Sequence, residues 1–556
     1  MLKGNFDNTL RLVRFILRRE RVISVIWIVS LVLFSVALAP GIGEMFPDAE
    51  GRQQFAQVYD NPVMVSMMGP IYGADNYTQG AMYSGMMLLW YIIAVAVMNV
   101  FLIVRHTRAD EEYGRVEVVR SLPVGRLSNI NAAMITAVIV NAVLAIFTGL
   151  GLAVIGIESM GFGGCMLYGA VSGAAGLVFA AITAVFCQLS HSTSGATGLS
   201  FFALGGFYML RAVGDITANA EFLSLISPLG LAQRSQVFIA NTPVPLIVLL
   251  IEAIVIAGVA YKLNSVRDMG QGFIPAKPGK SYAEKWMLSP FGLSLRLLRK
   301  SSIVWIVVMF LLGASYGSVM GNIDQFIGGS SEYLSILGID AEYAALLSDS
   351  EKNEFIVEGF GGYIASMMTL LCLVPVMLSA LKIRSEEKLG RLENVISRSV
   401  SKQKYMLGFV TISFALSVVL QFAVVLGLYT ATSAATETNP FSFGKLLWAN
   451  MAYLPAIWVV IGLIVLITGL FPKATAALWG YYGFVCLLAF MGNFDVFPVW
   501  VKAMSPMTHV PELRVTDTLL YGESNVSYVS LLVMTAIAAL YVIVGFVQYG
   551  ERDMTS

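Results

Sequence analysis

Twelve apolar runs of roughly membrane-spanning length occupy most of this chain, at about 22–41, 84–104, 129–156, 163–189, 195–213, 242–261, 302–322, 360–381, 405–431, 447–470, 474–491 and 526–549. A helix needs about 20 apolar residues to cross the ~30 Å hydrocarbon core of a bilayer. Composition agrees: 57% hydrophobic residues, 13% charged residues and a mean hydropathy of +0.75 are too apolar for a soluble domain of this length. Strands are excluded because their backbone groups would go unpaired in lipid unless a barrel closed. The runs are also too long and too continuously apolar for barrel strands. The fold expected is an all-α polytopic membrane protein with twelve transmembrane helices.

Charge placement sets the expected orientation. Of the 35 Lys and Arg residues, 28 fall in 1–21, 105–128, 262–301 and 382–404 or at Lys473 and Arg552. Basic residues concentrate on the cytoplasmic side of membrane proteins, so both termini are expected in the cytoplasm of a cell-membrane protein. The first run is span-length, follows Arg18, Arg19 and Arg21, and lacks a small-residue cleavage site. It reads as a retained helix rather than a signal peptide. Formal net charge is zero, which offers nothing to a nucleic-acid partner.

The most charged loop occurs twice. Residues 108–121 (RADEEYGRVEVVRS) recur as 384–397 (RSEEKLGRLENVIS), matching Arg108/Arg384, Asp110/Glu386, Glu111/Glu387, Gly114/Gly390, Arg115/Arg391 and Glu117/Glu393 at an offset of 276. Arg18, Arg21 and Trp27 match Arg296, Arg299 and Trp305, and Ser227-Pro228 matches Ser505-Pro506, at 278. Arg267-Asp-Met269 matches Arg552-Asp-Met554 at 285. Six helices therefore repeat as six in the same orientation, a parallel duplication. The halves are 1–262, with the loop 105–128, and 302–556, with the loop 382–404. A Gly/Pro/Lys-rich linker, 263–301, joins them.

If 108–122 forms one helix, Arg108, Glu111, Arg115, Val119 and Leu122 share a face. The second copy offers Arg384, Glu387, Arg391, Val395 and Arg398. Such a mixed-charge face suits docking into a polar groove of another protein, where complementary charge fixes register. Gly114 and Gly390 cost about 1 kcal/mol each inside a helix, so they point to a helix start, a bend or a close backbone approach. The plainer alternative is a solvated loop whose arginines enforce topology. Duplication of the loop favours two equivalent docking places, and so a transporter driven by a symmetric partner.

The pattern Glu-Glu-x-x-Gly-Arg-x-Glu, followed by Ser and a short basic stretch, resembles the intracellular loop of type-2 ABC exporter permeases. The overall plan resembles their fused twelve-helix subgroup of polyketide-antibiotic and multidrug exporters. The resemblance implies a permease without its own ATPase site, which exports small amphipathic compounds. ATP and Mg would be handled by two copies of a separate cytoplasmic ATP-binding subunit. It also implies that Arg108, Glu111, Gly114, Arg115 and Glu117, with Arg384, Glu387, Gly390, Arg391 and Glu393, belong to two coupling helices that meet those subunits. Glu112 becomes Lys388, so the two faces are not identical. Amphipathic elbow helices at 6–20 and 288–300 are expected on the inner membrane surface.

Inside the spans, Glu252, Asn141 and Gln421 are the polar candidates for a substrate path. A carboxylate in a span is costly, by about 2.5–3.5 kcal/mol or more. Glu252 would therefore bind a cation, relay a proton, or sit protonated against a neighbour. The second of these defines the rival reading, a proton- or ion-coupled secondary transporter. A membrane enzyme finds no paired Ser/His, His/Asp or zinc-type motif among only three histidines. Cys165, Cys187, Cys372 and Cys486 lie in apolar runs without metal spacing, so no metal is expected. Gly279-Lys280-Ser281 ends like a phosphate-binding loop, but the first glycine and the preceding strand are missing. Arg211, Asp215, Glu221 and Arg234 are placed near the outer mouth. The outer loops 42–83 and 323–359 are long enough for short capping helices.

Overall fold

The computed structural model describes residues 4–59, 62–217, 220–275, 281–320, 349–397, 400–436, 439–491, 498–511, 513 and 528–553. It contains helices and turns, with no strand among the described residues. The protein is an all-α polytopic membrane protein. The chain divides into two compact units, residues 1–279 and 280–556.

Unit 1 is built from α1 (Thr9–Met45), α2 (Ala49–Tyr59), α3 (Pro62–Met68), α4 (Gln79–His106), α5 (Arg108–Glu112), α6 (Arg115–Arg120), α7 (Ser128–Ile155), α8 (Phe162–Leu189), α9 (Thr193–Ile216), α10 (Glu221–Ile226), α11 (Pro228–Gln233) and α12 (Val244–Val266). Unit 2 contains α13 (Pro290–Val319), α14 (Asp349–Ala380), α15 (Lys382–Lys388), α16 (Arg391–Ile396), α17 (Lys402–Ala435), α18 (Phe443–Met451), α19 (Leu454–Leu470), α20 (Ala477–Met491), α21 (Val499–Lys502) and α22 (Val529–Glu551).

Helix starts follow local chemistry. Thr78, Ser192, Ser289 and Ser401 each accept a hydrogen bond from a backbone N–H in the first turn of α4, α9, α13 and α17, which satisfies an otherwise orphaned donor. The repeated Ser-Pro pairs do the same: Ser227 accepts from Leu229 N and Ser505 from Met507 N, each just before a proline at the first helical position.

In unit 1, α8 is the hub, packed against α4, α7, α9 and α12. Its buried face is made largely of Gly, Ala and Ser, which lets neighbouring backbones come close where lipid supplies no hydrophobic drive between helices. Gly169 shows the need: a Cβ there would collide with the carbonyl of Ala145 on α7. α1 and α12 instead expose Ile26, Leu33, Ile254 and Val255, as helices facing lipid do.

Among the described residues, eleven helices are long and apolar enough to cross a membrane. The twelfth expected span, 474–491, forms α20, a helix of 15 residues entered through a 3₁₀ turn at Pro472–Ala476. At 1.5 Å per residue it covers about 22 Å up to Met491, the last described residue before 498. The expected elbows also differ from the structure. Residues 9–20 are the first turns of the 37-residue helix α1, and residues 290–300 open α13. No residue between each elbow and its span breaks a helix, so the two merge. Val13 and Ile16 are buried against Ala132 of α7, whereas Leu10 remains exposed. Linker residues 276–280, including Gly279 and Lys280, most of the outer loop 323–359, Arg398 and Met554 lie outside the described residues.

Candidate functional site

One end of unit 1 gathers the end of α4, the pair α5–α6, the turn after α8 and the segment after α12. The duplicated loop does not form one helix. Gly114 adopts φ 70° and Gly390 φ 67°, and each separates two short helices, α5 from α6 and α15 from α16. Glycine takes this left-handed conformation without the Cβ clash that other residues meet. The face expected from 3.6-residue periodicity is therefore broken at its centre. Arg108 and Glu111 turn inward, while Val118 and Leu122 are 70% and 60% exposed.

Arg108 and Glu111 form the core of a buried clamp. Arg108 Nη1 donates to Glu111 Oε2 at 2.9 Å, and Arg267 Nη2 donates to both carboxylate oxygens at 3.0 and 2.8 Å. The backbone N–H of Gly270 adds a bond to Glu111 Oε1 at 2.9 Å. Arg108 also donates to the carbonyls of His191, of Gly270 at 3.0 Å and of Gln271 at 3.2 Å. Three segments distant in sequence are thus tied through the Arg108–Glu111 pair: α5, the turn after α8 through Arg108, and the end of α12 through Glu111. Ile274 N donates to Leu189 O at 2.8 Å, so the beginning of the linker folds back along α8.

Unit 2 repeats this clamp. Arg384 and Glu387 pair at 3.1 Å, and Arg552 pairs with Glu387 while donating to Thr468 O at 2.7 Å. Lys402 Nζ donates to Arg552 O at 2.7 Å, as Arg126 Nη2 donates to Arg267 O at 3.0 Å. The sequence showed Arg267-Asp and Arg552-Asp as a repeat, the one available signal of their part in the site. Their pairing with Glu111 and Glu387 is visible only in three dimensions.

A second set of contacts belongs to unit 1. Arg19 of α1 grips Asp110 through two hydrogen bonds, 2.9 and 2.8 Å, and Arg115 reaches back to Asp110 at 2.9 Å. Glu20 accepts from Arg105 at 2.8 and 2.9 Å and lies 2.9 Å from Nε2 of the fully buried His106. In unit 2, Glu386 pairs with Lys382 at 3.0 Å and Arg391 at 3.5 Å. Glu117 and Glu393 are exposed, and their carboxylates make no hydrogen bond or ion pair among the described residues.

The span residues separate by environment. Asn141 exchanges two amide hydrogen bonds with Asn99 of α4, at 2.7 and 3.0 Å, and each amide also donates to a carbonyl one turn back. Gln421 donates to Thr369 Oγ1 at 2.6 Å, joining α17 to α14. Both thus join neighbouring helices, as buried polar groups in spans do, while the Gln421 side-chain oxygen is buried with no hydrogen-bond partner among the described residues. Glu252 differs: it is half-buried on α12 and makes no hydrogen bond or ion pair among the described residues. At the far end, Arg211 is fully buried, donates to the carbonyls of Val65, Ser66 and Met67 at the end of α3, and lies 3.6 Å from Asp215. No cluster of three His, Cys, Asp or Glu among the described residues is arranged to hold a metal ion.

A family model described as the C-terminal domain of the multidrug efflux system permease Rv1217c matches residues 12–262 and 287–550. The multidrug efflux system permease protein Rv1217c of Mycobacterium tuberculosis (strain ATCC 25618 / H37Rv) is 30% identical over 560 residues, which span 99% of this chain and 96% of that protein.

Proposed function

The chain belongs to the Rv1217c family of multidrug efflux permeases, and from that premise we propose that it is the transmembrane subunit of an ATP-driven exporter of amphipathic compounds. Two cytoplasmic ATP-binding subunits would dock on the loops 105–128 and 382–404. The observation that carries this reading is the duplicated clamp, in which each charged loop is bound through Glu111–Arg267 or Glu387–Arg552 to the last helix of its own half.

The clamp gives the motif residues distinct work. Arg108, Glu111, Arg384 and Glu387 point into the protein and hold each loop's shape, so they position a docking surface rather than form it. Gly114 and Gly390 supply the turn that lifts the second short helix away from the first. The exposed side of each second helix, with Glu117 and Val118 in unit 1 and Glu393 in unit 2, and Leu122 in the turn that follows α6, is left to meet a partner. Closure of an ATPase dimer would push on these surfaces, and the clamps would pass the displacement to α12 and α22 as rigid connections. ATP drives export only insofar as it binds the two conformations differently.

The test uses the exposed carboxylates, because substituting Glu111 would disrupt the loop itself. Glu117→Lys combined with Glu393→Lys should abolish drug-stimulated ATPase activity and co-purification of the ATP-binding subunit at two copies per chain. Membrane insertion should be unchanged. Normal stimulation in the double variant would defeat the assignment. The unpartnered Glu252 favours one rival, the ion-coupled transporter. Export that persists without ATP while the proton gradient is kept, and stops in Glu252→Gln, would establish that rival instead.

A further inference from the structure

Beside the unit 1 clamp lies an open cleft of about 360 Å³ including its mouth. Four guanidinium groups line it, from Arg108, Arg120, Arg126 and Arg267, against the single carboxylate of Glu111. That carboxylate is already committed, since both oxygens accept from the clamp. Arg120 and Arg126 make no ion pair among the described residues and donate only to carbonyls, of Arg126 at 3.4 Å and Arg267 at 3.0 Å. Arg108 and Arg267 are occupied by Glu111, Gln188 and backbone carbonyls, so the positive charge left without a carboxylate partner is that of half-buried Arg120 and exposed Arg126. Burial lowers the Arg120 guanidinium, and repulsion from Arg126 and Arg267 adds to the effect of burial against the attraction of Glu111.

Unit 2 shows that this charge is not needed to build the clamp. Ile396 stands at the position equivalent to Arg120, and Lys402 takes the place of Arg126 while making the same bond to the carbonyl of the clamp arginine. An uncompensated arginine that the twin unit replaces with isoleucine calls for a ligand, not a folding role. Two features define that ligand. Planar guanidinium forks match phosphate oxygens and form short charge-assisted bonds with them. Val266, immediately before Arg267, belongs to the exposed apolar side of α12, so the arginines stand where a lipid-facing helix ends.

We propose that the cleft lined by Arg108, Arg120, Arg126 and Arg267 binds a phosphate group, carried either by an anionic phospholipid headgroup or by free phosphate. The site needs no ATPase partner, so its test is independent of the coupling scheme above.

The purified full-length protein in detergent is exposed to phosphatidylglycerol or to phosphatidylcholine with the same chains, and bound lipid is counted by native mass spectrometry. Inorganic phosphate is titrated separately by calorimetry and as a competitor. If the source is lipid, phosphatidylglycerol is retained in preference to phosphatidylcholine and millimolar phosphate does not displace it. If the source is free phosphate, phosphate binds by itself and displaces the lipid. In either arm Arg120→Ile and Arg126→Gln each weaken binding about fivefold, and together about 25-fold. Lys402→Gln, the same kind of change in unit 2, leaves binding unaltered. Thermal midpoints close to the parent protein's confirm folding, which Arg120→Ile should keep because unit 2 folds with isoleucine there. Binding unchanged in the double variant, or lowered equally by Lys402→Gln, overturns the proposal.

Discussion

The loops of units 1 and 2 share an inner clamp and differ in how they are tied to the first helix of their unit. Arg108–Glu111–Arg267 and Arg384–Glu387–Arg552 are matching residues of the repeat and form the same Arg–Glu–Arg pairing. Around them, unit 1 adds Arg19 and Glu20 of α1, which grip Asp110, Arg105 and His106. The positions equivalent to Arg19 and Glu20 in α13 are Leu297 and Leu298, and Lys382 replaces His106. Among the described residues, the polar tie to the first helix is therefore present in one unit and the tie to the last helix in both. A contact kept twice is the better candidate for the shared task, and a contact kept once for a task in which the halves differ.

The strongest attempt to break the comparison removes the clamp carboxylates. Glu111→Ala leaves the guanidiniums of Arg108 and Arg267, with side chains 1% and 8% exposed, without their charge partner. Leaving a buried charge uncompensated costs about 3–5 kcal/mol. Glu387→Ala should cost somewhat less, because Arg384 and Arg552 are 13% and 16% exposed and keep some contact with water. Thermal midpoints in detergent, with hydrogen exchange over 108–120 and 384–396, check both. Drug-stimulated ATPase activity should fall in each. Loss in one variant only would mean that the clamps are not equivalent.

A smaller effect sharpens the difference. Glu20→Gln withdraws the charge that faces Arg105 and the buried His106, at a cost of about 2 kcal/mol for hydrogen bonds to an ionised group. Hydrogen exchange should rise at the end of α4 and in α5 and remain at the parent level in α15. Exchange rising equally in both loops would show that the α1 tie does not act locally.

The sequence carried the class of fold because span-length apolar runs and their number are local properties of the chain. The merged elbows of α1 and α13 escaped it because charge marks a membrane boundary without ending a helix. The loop's predicted face failed at Gly114, since periodicity assumes a continuous helix and one positive φ redirects everything after it. Glu20 and the tie of Arg19 to Asp110 were overlooked for a related reason: emphasis on repetition passes over contacts present in a single copy. Arg267 and Arg552 were seen as a repeat, yet their partners lie more than 150 residues away in the chain, beyond the reach of any local pattern.

The smallest expected effect concerns the feature on which the units agree most closely. Gly114 and Gly390 share the same left-handed backbone, and a Cβ built at either meets nothing within 4 Å. Any cost of Gly114→Ala or Gly390→Ala is then conformational, about 1 kcal/mol at each site, and should be equal in the two units despite their different surroundings. The same substitutions favour straightening α5–α6 or α15–α16 into one helix, which would carry Glu117 or Glu393 around the axis and away from the docking side. Coupled ATPase activity should accordingly fall more than thermal stability does, and by the same factor for both variants. If each alanine variant lowers stability alone and leaves coupling intact, the angle between the two short helices has no part in docking.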